Sequence, residues 1–493
     1  MIVNTSTVTN ESRDRSFFGH PRGLSTLFFT EMWERFSYYG MRAILGYYLY
    51  FAVAEGGLAI PKSTALSLVS AYGASVYLTG VAGGWLADRV LGAQRSIFYG
   101  GVLIMLGHIS MALPGGVPTL LLGLVLIITG SGLLKPNVSR VVGSLYSEDD
   151  PRRDAGFSIF YMGINIGGFA APLICGWLGE KIDWHYGFGA AAVGMALGLI
   201  QYVLGRRHLG RAGLHPANPL PTAHRSAVLG RAVGIAVALV VVMALLFGTG
   251  IVGLAGLVNV ITLISAVLPV VYFAVMLGSK QITRIERDRL LAYIPLFLAT
   301  ALFFLLFEQQ PNTLANLAEA DTNLNVFGYV IPASWFQSIN ALSIIALAPV
   351  FAMLWIKLGN HQPGTPMKFV GGLVSVGVAF LWVVLSKTVS GDQHIALMLA
   401  FVFVLMTVGE LMLSPVGLSV TTKLAPAVFA SQTMGLYFLA PAMGQGVGAQ
   451  VVKLYSLDNQ QIYFGIVGVA TLACAVLLAV ANRSIKRSMH GVQ

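Results

Sequence analysis

Apolar runs broken by short polar intervals fill the chain from about residue 25 onward. A helix needs roughly 20 apolar residues to cross a bilayer, and runs of that order recur fourteen times: near 25–53, 65–88, 96–114, 118–139, 156–178, 186–205, 228–249, 252–278, 291–319, 333–357, 368–387, 393–417, 428–452 and 462–482. Spans 1 and 9 are longer than a crossing requires, which predicts tilt or protrusion. Between the seventh and eighth only Gly248 to Gly250 intervene. The polar intervals divide the chain into an N-terminus (1–24), a six-helix bundle (25–206), a charged, proline-containing linker (207–227), two additional helices (228–278), a second linker (279–290), a second six-helix bundle (291–482) and a C-terminus (483–493).

Composition agrees with the pattern. Only 10% of residues are charged and 56% are hydrophobic, with mean hydropathy +0.76, whereas soluble domains carry about 25% charged residues. The prediction is an all-α polytopic membrane protein with 14 transmembrane helices. Of the thirty Lys and Arg, Arg35, Arg42 and Lys135 fall well inside spans, and Lys62, Lys181, Lys387 and Lys453 fall at span ends or in intervals on one side. The other twenty-three lie at the termini or on the side of the termini. Positive charge marks the cytoplasmic side, so both termini are expected in the cytoplasm, in the inner (plasma) membrane. The net charge of +10 then needs no nucleic acid, because an acidic lipid surface suffices as partner. Cys175 and Cys474 both sit in apolar spans and imply neither disulfide nor zinc. No phosphate-cradling loop, metal-ligand cluster or nucleophile triad is present. The expectation is therefore no enzyme, no metal and no cofactor, with an ion gradient as energy source.

Seven ionisable residues nevertheless stand at membrane depth: Glu31, Glu34, Arg35, Arg42, Lys135, Glu308 and Glu410. At 100° per residue, Glu31, Glu34, Arg35, Tyr38 and Arg42 share one stripe about 100° wide. Facing lipid, each charge would cost about 2.5–3.5 kcal/mol. They must face a cavity and one another. Spans 1 and 9 correspond in a chain of two related halves, as do spans 4 and 12. The first pair carries Arg42 and Glu308, the second Lys135 and Glu410, which suggests breakable gating bridges. By depth along the spans, the first would close the outer side and the second the cytoplasmic side. Pro136 and Pro415 predict kinks beside Lys135 and Glu410. His108, His185 and His394, near span ends, read as structural rather than as proton relays.

The loop "GGWLADRVLGAQR" (Gly83 to Arg95), with Asp88, Arg89 and Arg95, resembles the loop signature of the major facilitator superfamily. In that superfamily two six-helix halves hold a substrate near the midplane. Asp88 is expected to cap a helix end and to pair with a nearby arginine. Further motifs are more specific. "EMWERF" (Glu31 to Phe36) followed by "YGMR" (Tyr39 to Arg42), "GSGLLKPNVS" around Lys135, "FYMGINIGGF" around Asn165, "FFLLFEQQ" around Glu308, and "GELMLSPVGL" with "KLAP" around Glu410 occur in order. Together they resemble the proton-coupled oligopeptide transporter family, bacterial type.

That resemblance implies roles. Glu31, Glu34, Arg35, Lys135 and Glu308 serve proton coupling. Arg42, Lys135 and Tyr39 hold the peptide carboxylate; Glu410, with Asn165 and Asn340, holds its amino group; Tyr38, Tyr77 and Tyr437 wall the cavity. The implied function is proton-coupled symport of di- and tripeptides by alternating access, by a protein working as a monomer. The alternative is a proton-coupled carrier of another small solute, such as a peptide-like drug, nitrate or a glycoside. Physically, a cavity with a cationic and an anionic pole suits a zwitterion of variable side chains. The chain departs from the family pattern at Ala341 (often proline), at Phe304 (commonly tryptophan) and at Tyr437 (commonly tryptophan), where a smaller ring would enlarge one side-chain pocket.

Overall fold

A computed structural model describes residues 16–147, 150–221, 226–228, 230, 231, 234, 249 and 253–492. Thirteen long helices occur among them: α1 (Arg22–Tyr50), α2 (Lys62–Leu91), α3 (Ala93–Ala112), α4 (Val117–Ser144), α5 (Arg153–Lys181), α6 (Trp184–Leu209), α7 (Leu254–Gly278), α8 (Arg284–Ala320), α9 (Ala333–Leu358), α10 (Thr365–Ser390), α11 (Ala396–Leu424), α12 (Ala430–Val451) and α13 (Gln460–Ser488). Each corresponds to one expected span. The seventh span, 228–249, and most of the N-terminus lie outside the described residues. Eleven of the thirteen are long and apolar enough to cross a membrane by length and composition. The other two are α1, with its run of charges, and α12, diluted by glutamine and glycine. The helices outrun their apolar windows where polar residues cap them. α8, for example, begins at Arg284 because Thr283 and Glu286 form a reciprocal cap, each accepting the other's backbone N–H. Pro136 and Pro415 lie inside α4 and α11, which run on past them.

Three helices contain a wider π-turn: Ala87–Leu91 in α2, Pro172–Gly176 in α5 and Gln310–Leu314 in α8. Among the described strands, β1 (Thr322–Asn323) pairs in parallel with β4 (His394–Ile395). β2 (Asn325–Val326) and β3 (Tyr329–Val330) form a hairpin. Its two turn residues, Phe327 (φ 53°) and Gly328 (φ 86°), both take positive φ, as a two-residue hairpin turn demands.

The chain falls into two compact units. The first comprises Met1–Met41, Thr79–Ala171 and His185–Leu257; the second comprises Arg42–Leu78, Pro172–Trp184 and Val258–Gln493. The division thus cuts through α1, α2 and α5.

In the first unit, α3 and α4 approach closely through glycine. A Cβ on Gly100 would lie 2.6 Å from the Gly130 carbonyl oxygen, so any side chain there would force the helices apart. Around this pair, Leu24, Leu27, Ile97, Ile104, Leu134 and Val138 form a buried core. At one end Asp88 pairs with Arg140 of α4. Its backbone carbonyl accepts from Asn218 (3.0 Å), and that of Arg89 accepts from Leu220 (3.0 Å), binding the chain after α6 to the loop motif. Asp88 does not cap the following helix. Gly92 stands at that N-cap, without a side-chain bond.

In the second unit, α10 packs on both α11 and α13, and Phe303, Phe369, Phe380, Phe403 and Phe464 are fully buried. A polar junction closes one end. Lys387 of α10 reaches both oxygens of Asp321 after α8 (2.9 and 2.8 Å). Gln460 at the start of α13 donates to Asp321 (2.5 Å) and accepts from the Nε2–H of His394 (3.2 Å). The imidazole Nδ1 of His394 then accepts from Ser386 (2.9 Å). Burial holds this imidazole below its ordinary range, so it is neutral at pH 7. It links α10 to the start of α13.

Candidate functional site: buried charges of α1, α8 and α11

In the first unit, α1 carries an acid–acid–base cluster. Arg35 Nε lies 3.1 Å from Glu31 and 2.5 Å from Glu34, and all three side chains are buried. The helical spacing brings Glu31 and Arg35 together four residues apart, while Glu34 reaches the same guanidinium from the adjacent position. Lys135 of α4, half-buried, acts electrostatically on Glu31. Two acids and two bases therefore balance among Glu31, Glu34, Arg35 and Lys135. The Arg35 guanidinium also lies 5.3 Å from the centre of the Tyr38 ring, which packs edge-on against Tyr39. Asn165 of α5 is buried and donates back to the Tyr161 carbonyl (2.9 Å).

The second unit holds the rest of the α1 stripe. Arg42 and Glu308 form a buried ion pair, 7% and 6% exposed. Glu308 is presented where α8 breaks. Pro311 has no N–H to offer the Phe307 carbonyl, and the chain widens into the π-turn Gln310–Leu314 before resuming as helix. The break is held on both sides. The Gln309 side-chain amide oxygen accepts from Thr313 (2.7 Å) and from Tyr463 of α13 (2.9 Å). The Asn312 amide donates to Ser70 of α2 (2.8 Å).

Beyond Arg42 the two helices stay zipped. Tyr47 donates to the Ala315 carbonyl (3.0 Å), and Tyr50 accepts from Asn316 (3.2 Å) and donates to Glu319 (3.4 Å). In α11, Glu410 is half-buried, accepts from the Asn340 amide (3.1 Å) and lies in the field of Glu308. Asn340 also donates to Thr407 (2.9 Å). Tyr437 of α12 is buried, its hydroxyl donating to the Ser414 carbonyl (3.2 Å). Tyr77 is half-buried in α2, and Arg95 is exposed at the start of α3.

The structure therefore brings together Glu31, Glu34, Arg35, Tyr38 and Lys135 in the first unit, and Arg42, Glu308, Asn340 and Glu410 in the second. Sequence reasoning missed Ser70, Tyr47, Tyr50, Gln309, Asn312 and Asn316. The available signal was the polar file Glu308, Asn312, Asn316 at four-residue spacing, opposite Arg42 and Tyr50 on α1. Among the described residues, no group of three or more His, Cys, Asp or Glu is placed to hold a metal ion.

The family model PTR2, described as POT family, matches residues 94–467. An uncharacterized transporter of Bacillus subtilis (strain 168), YclF, is 46% identical over 492 residues, 99% of each chain. A di-/tripeptide transporter of Lactococcus lactis subsp. cremoris is 44% identical over 490 residues, 97% of this chain and 99% of the relative. A crystal structure of a peptide transporter, POT, in complex with sulfate has TM-score 0.95 at 48% identity, covering 99% of this chain and 100% of that one.

Proposed function

The chain belongs to the POT family, and from that premise we propose that it is a secondary active transporter carrying di- and tripeptides into the cell together with protons, by alternating access. The buried Arg42–Glu308 ion pair, with Glu410 in the field of the same carboxylate, carries this reading. A peptide zwitterion needs a cation for its carboxylate and an anion for its ammonium, and Arg42 and Glu410 supply them. Coupling follows from competition. While Glu308 is ionised it occupies Arg42; once it takes a proton, the guanidinium is released to the peptide carboxylate. Proton and peptide therefore enter as a pair. Lys135, Tyr39 and Tyr38 extend the carboxylate pole, and Asn165 and Asn340 the ammonium pole. Tyr77 and Tyr437 form walls. Glu31, Glu34 and Arg35 couple proton movement to Lys135, and a Lys135–Glu410 bridge serves as the second gate. We place the protein in the inner (plasma) membrane as a monomer surrounded by lipid, termini in the cytoplasm, with six-helix halves 25–206 and 291–482. It draws on the proton gradient, with no cofactor and no catalytic step.

Purified protein in liposomes tests the reading. An inward proton gradient should drive uptake of a labelled dipeptide, and unlabelled di- and tripeptides should compete. Gradient-driven uptake of other solutes that peptides do not inhibit would select a different substrate class.

The anionic pole has its own test. Acetylating the peptide amino group should weaken binding to the wild type by about 1.5 kcal/mol or more, the scale of one charged hydrogen bond, and by much less in Glu410→Gln. Equal penalties in both proteins would place the ammonium elsewhere.

A further inference from the structure

The start of α9 lacks a cap of its own. Its N-cap residue is Pro332, whose side chain has no oxygen to accept a hydrogen bond. The first N–H groups of a helix require acceptors and present a partial positive charge. Here the acceptor comes from α5. The Glu180 carboxylate takes the Ala333 N–H on one oxygen (2.9 Å) and the Ser334 N–H on the other (2.9 Å). The seat around it is close-fitting. Trp335 donates from its indole to the Leu173 carbonyl (3.2 Å) within the π-turn of α5. Gly176 faces the Ser334 side chain, with no room for a Cβ. Ala333 and Ser334 are buried, at 1% and 0% exposure. Gln337, one turn further on, donates to the Ala43 carbonyl of α1 (3.3 Å).

We propose that Glu180 is a positioning residue for transport: it completes the N-terminus of α9 from α5 and thereby holds the outer face closed. The proposal rests on the alternating-access reading above, in which α5 and α9 belong to different six-helix halves. When the halves part on the outer side, α9 loses its cap and Glu180 its two donors. The bond therefore exists in one state of the cycle only, and it biases the equilibrium by the difference. It acts beside the Arg42–Glu308 pair but needs neither substrate nor proton at that pair.

The test is a distance measurement across the outer loops in unliganded full-length protein. Spin labels go at Val53, between α1 and α2, and at Phe327, the hairpin tip before α9. Both are exposed, and Cys474 is replaced by serine. In Glu180→Ala the ratio of long to short distances should rise about tenfold, the scale of losing one or two charge-assisted hydrogen bonds. Glu180→Gln should fall between wild type and Glu180→Ala, because an amide accepts on one side only. Ala333→Pro guards against a variant that fails to fold. Proline is favoured at the first helical position, so the helix start survives while one donor is deleted. It should shift the ratio in the same direction, and its effect should shrink in the Glu180→Ala background. A purely structural role would lower the unfolding temperature and leave the distances unmoved. Unchanged distances in both Glu180→Ala and Ala333→Pro overturn the proposal. These distances are read without peptide, whereas wild-type protein that fails to accumulate peptide in liposomes would overturn the transport reading instead.

Discussion

Replacing Glu308 by glutamine is expected to abolish gradient-driven accumulation of peptide while leaving peptide counterflow intact. Glutamine keeps the shape of the side chain and can still accept a hydrogen bond from Arg42, so the break in α8 and its anchors on Gln309 and Asn312 should persist. It carries no charge and takes up no proton near neutral pH. On the proposed reading, the proton taken up by Glu308 ties uphill peptide movement to the gradient. Without it, the carrier should exchange labelled for unlabelled peptide across the liposome membrane and accumulate none. The neutral partner also leaves Arg42 buried beside an amide, so the guanidinium should stay available to a carboxylate and apparent peptide affinity should not collapse. Both quantities come from one preparation: uptake with and without an imposed pH gradient, and counterflow in preloaded vesicles. Uphill uptake at the wild-type level in Glu308→Gln would remove Glu308 as the proton carrier. Loss of counterflow together with uptake would show that the side chain is needed for substrate binding rather than coupling.

The largest effect on stability is expected at Arg35. Its guanidinium is the nearest cation to two carboxylates, Glu31 at 3.1 Å and Glu34 at 2.5 Å, and Glu34 is fully buried. Breaking a buried ion cluster by deleting one partner costs about 3–5 kcal/mol, because the remaining charges are left uncompensated. In Arg35→Ala, Lys135 would be the remaining cation of the group, facing two acids. The unfolding midpoint in detergent should fall sharply. Replacing the whole cluster at once (Glu31→Gln, Glu34→Gln and Arg35→Met) should restore much of that stability, since swapping a buried ion group for neutral side chains is often close to neutral. If the triad couples protons, the restored variant should remain inactive in gradient-driven uptake. An Arg35→Ala protein as stable as wild type would mean that the two acids find other compensation. A triple variant with full accumulation would remove these residues from the coupling machinery.

Much of this arrangement was legible in the sequence because the membrane makes it so. An apolar window long enough to cross is a strong signal, and thirteen of the fourteen expected spans correspond to described helices. Charges inside such windows are rare enough to be conspicuous, which is why Arg42 and Glu308 could be named as partners across 266 positions. The ends of helices were less visible. α8 starts ahead of its apolar window because Thr283 and Glu286 cap it, and a capping box in a polar linker carries no hydropathy signal. Contacts made through backbone atoms were not visible at all. Tyr47 bonds the Ala315 carbonyl and Glu180 the Ala333 and Ser334 amides, and every residue offers the same carbonyl and nearly every one the same N–H. The π-turns escaped for a related reason: they differ from α-helix only in which carbonyl each N–H meets.

The junction at Asp321 has a consequence for measurement. It ties together Asp321 at the end of α8, Lys387 of α10, His394 just before α11 and Gln460 at the start of α13, through side chains that contact one another directly. Four helix ends joined in this way make an internal ruler. Reporters attached near any two of them should keep a constant separation whatever state the carrier adopts, so several such pairs yield one observation repeated. Their value is as a fixed reference. A separation that changes between a junction residue and a distant label records a movement of the carrier. A separation that broadens within the junction records the unit itself coming apart, and a variant showing that change should not be interpreted as a shift in gating.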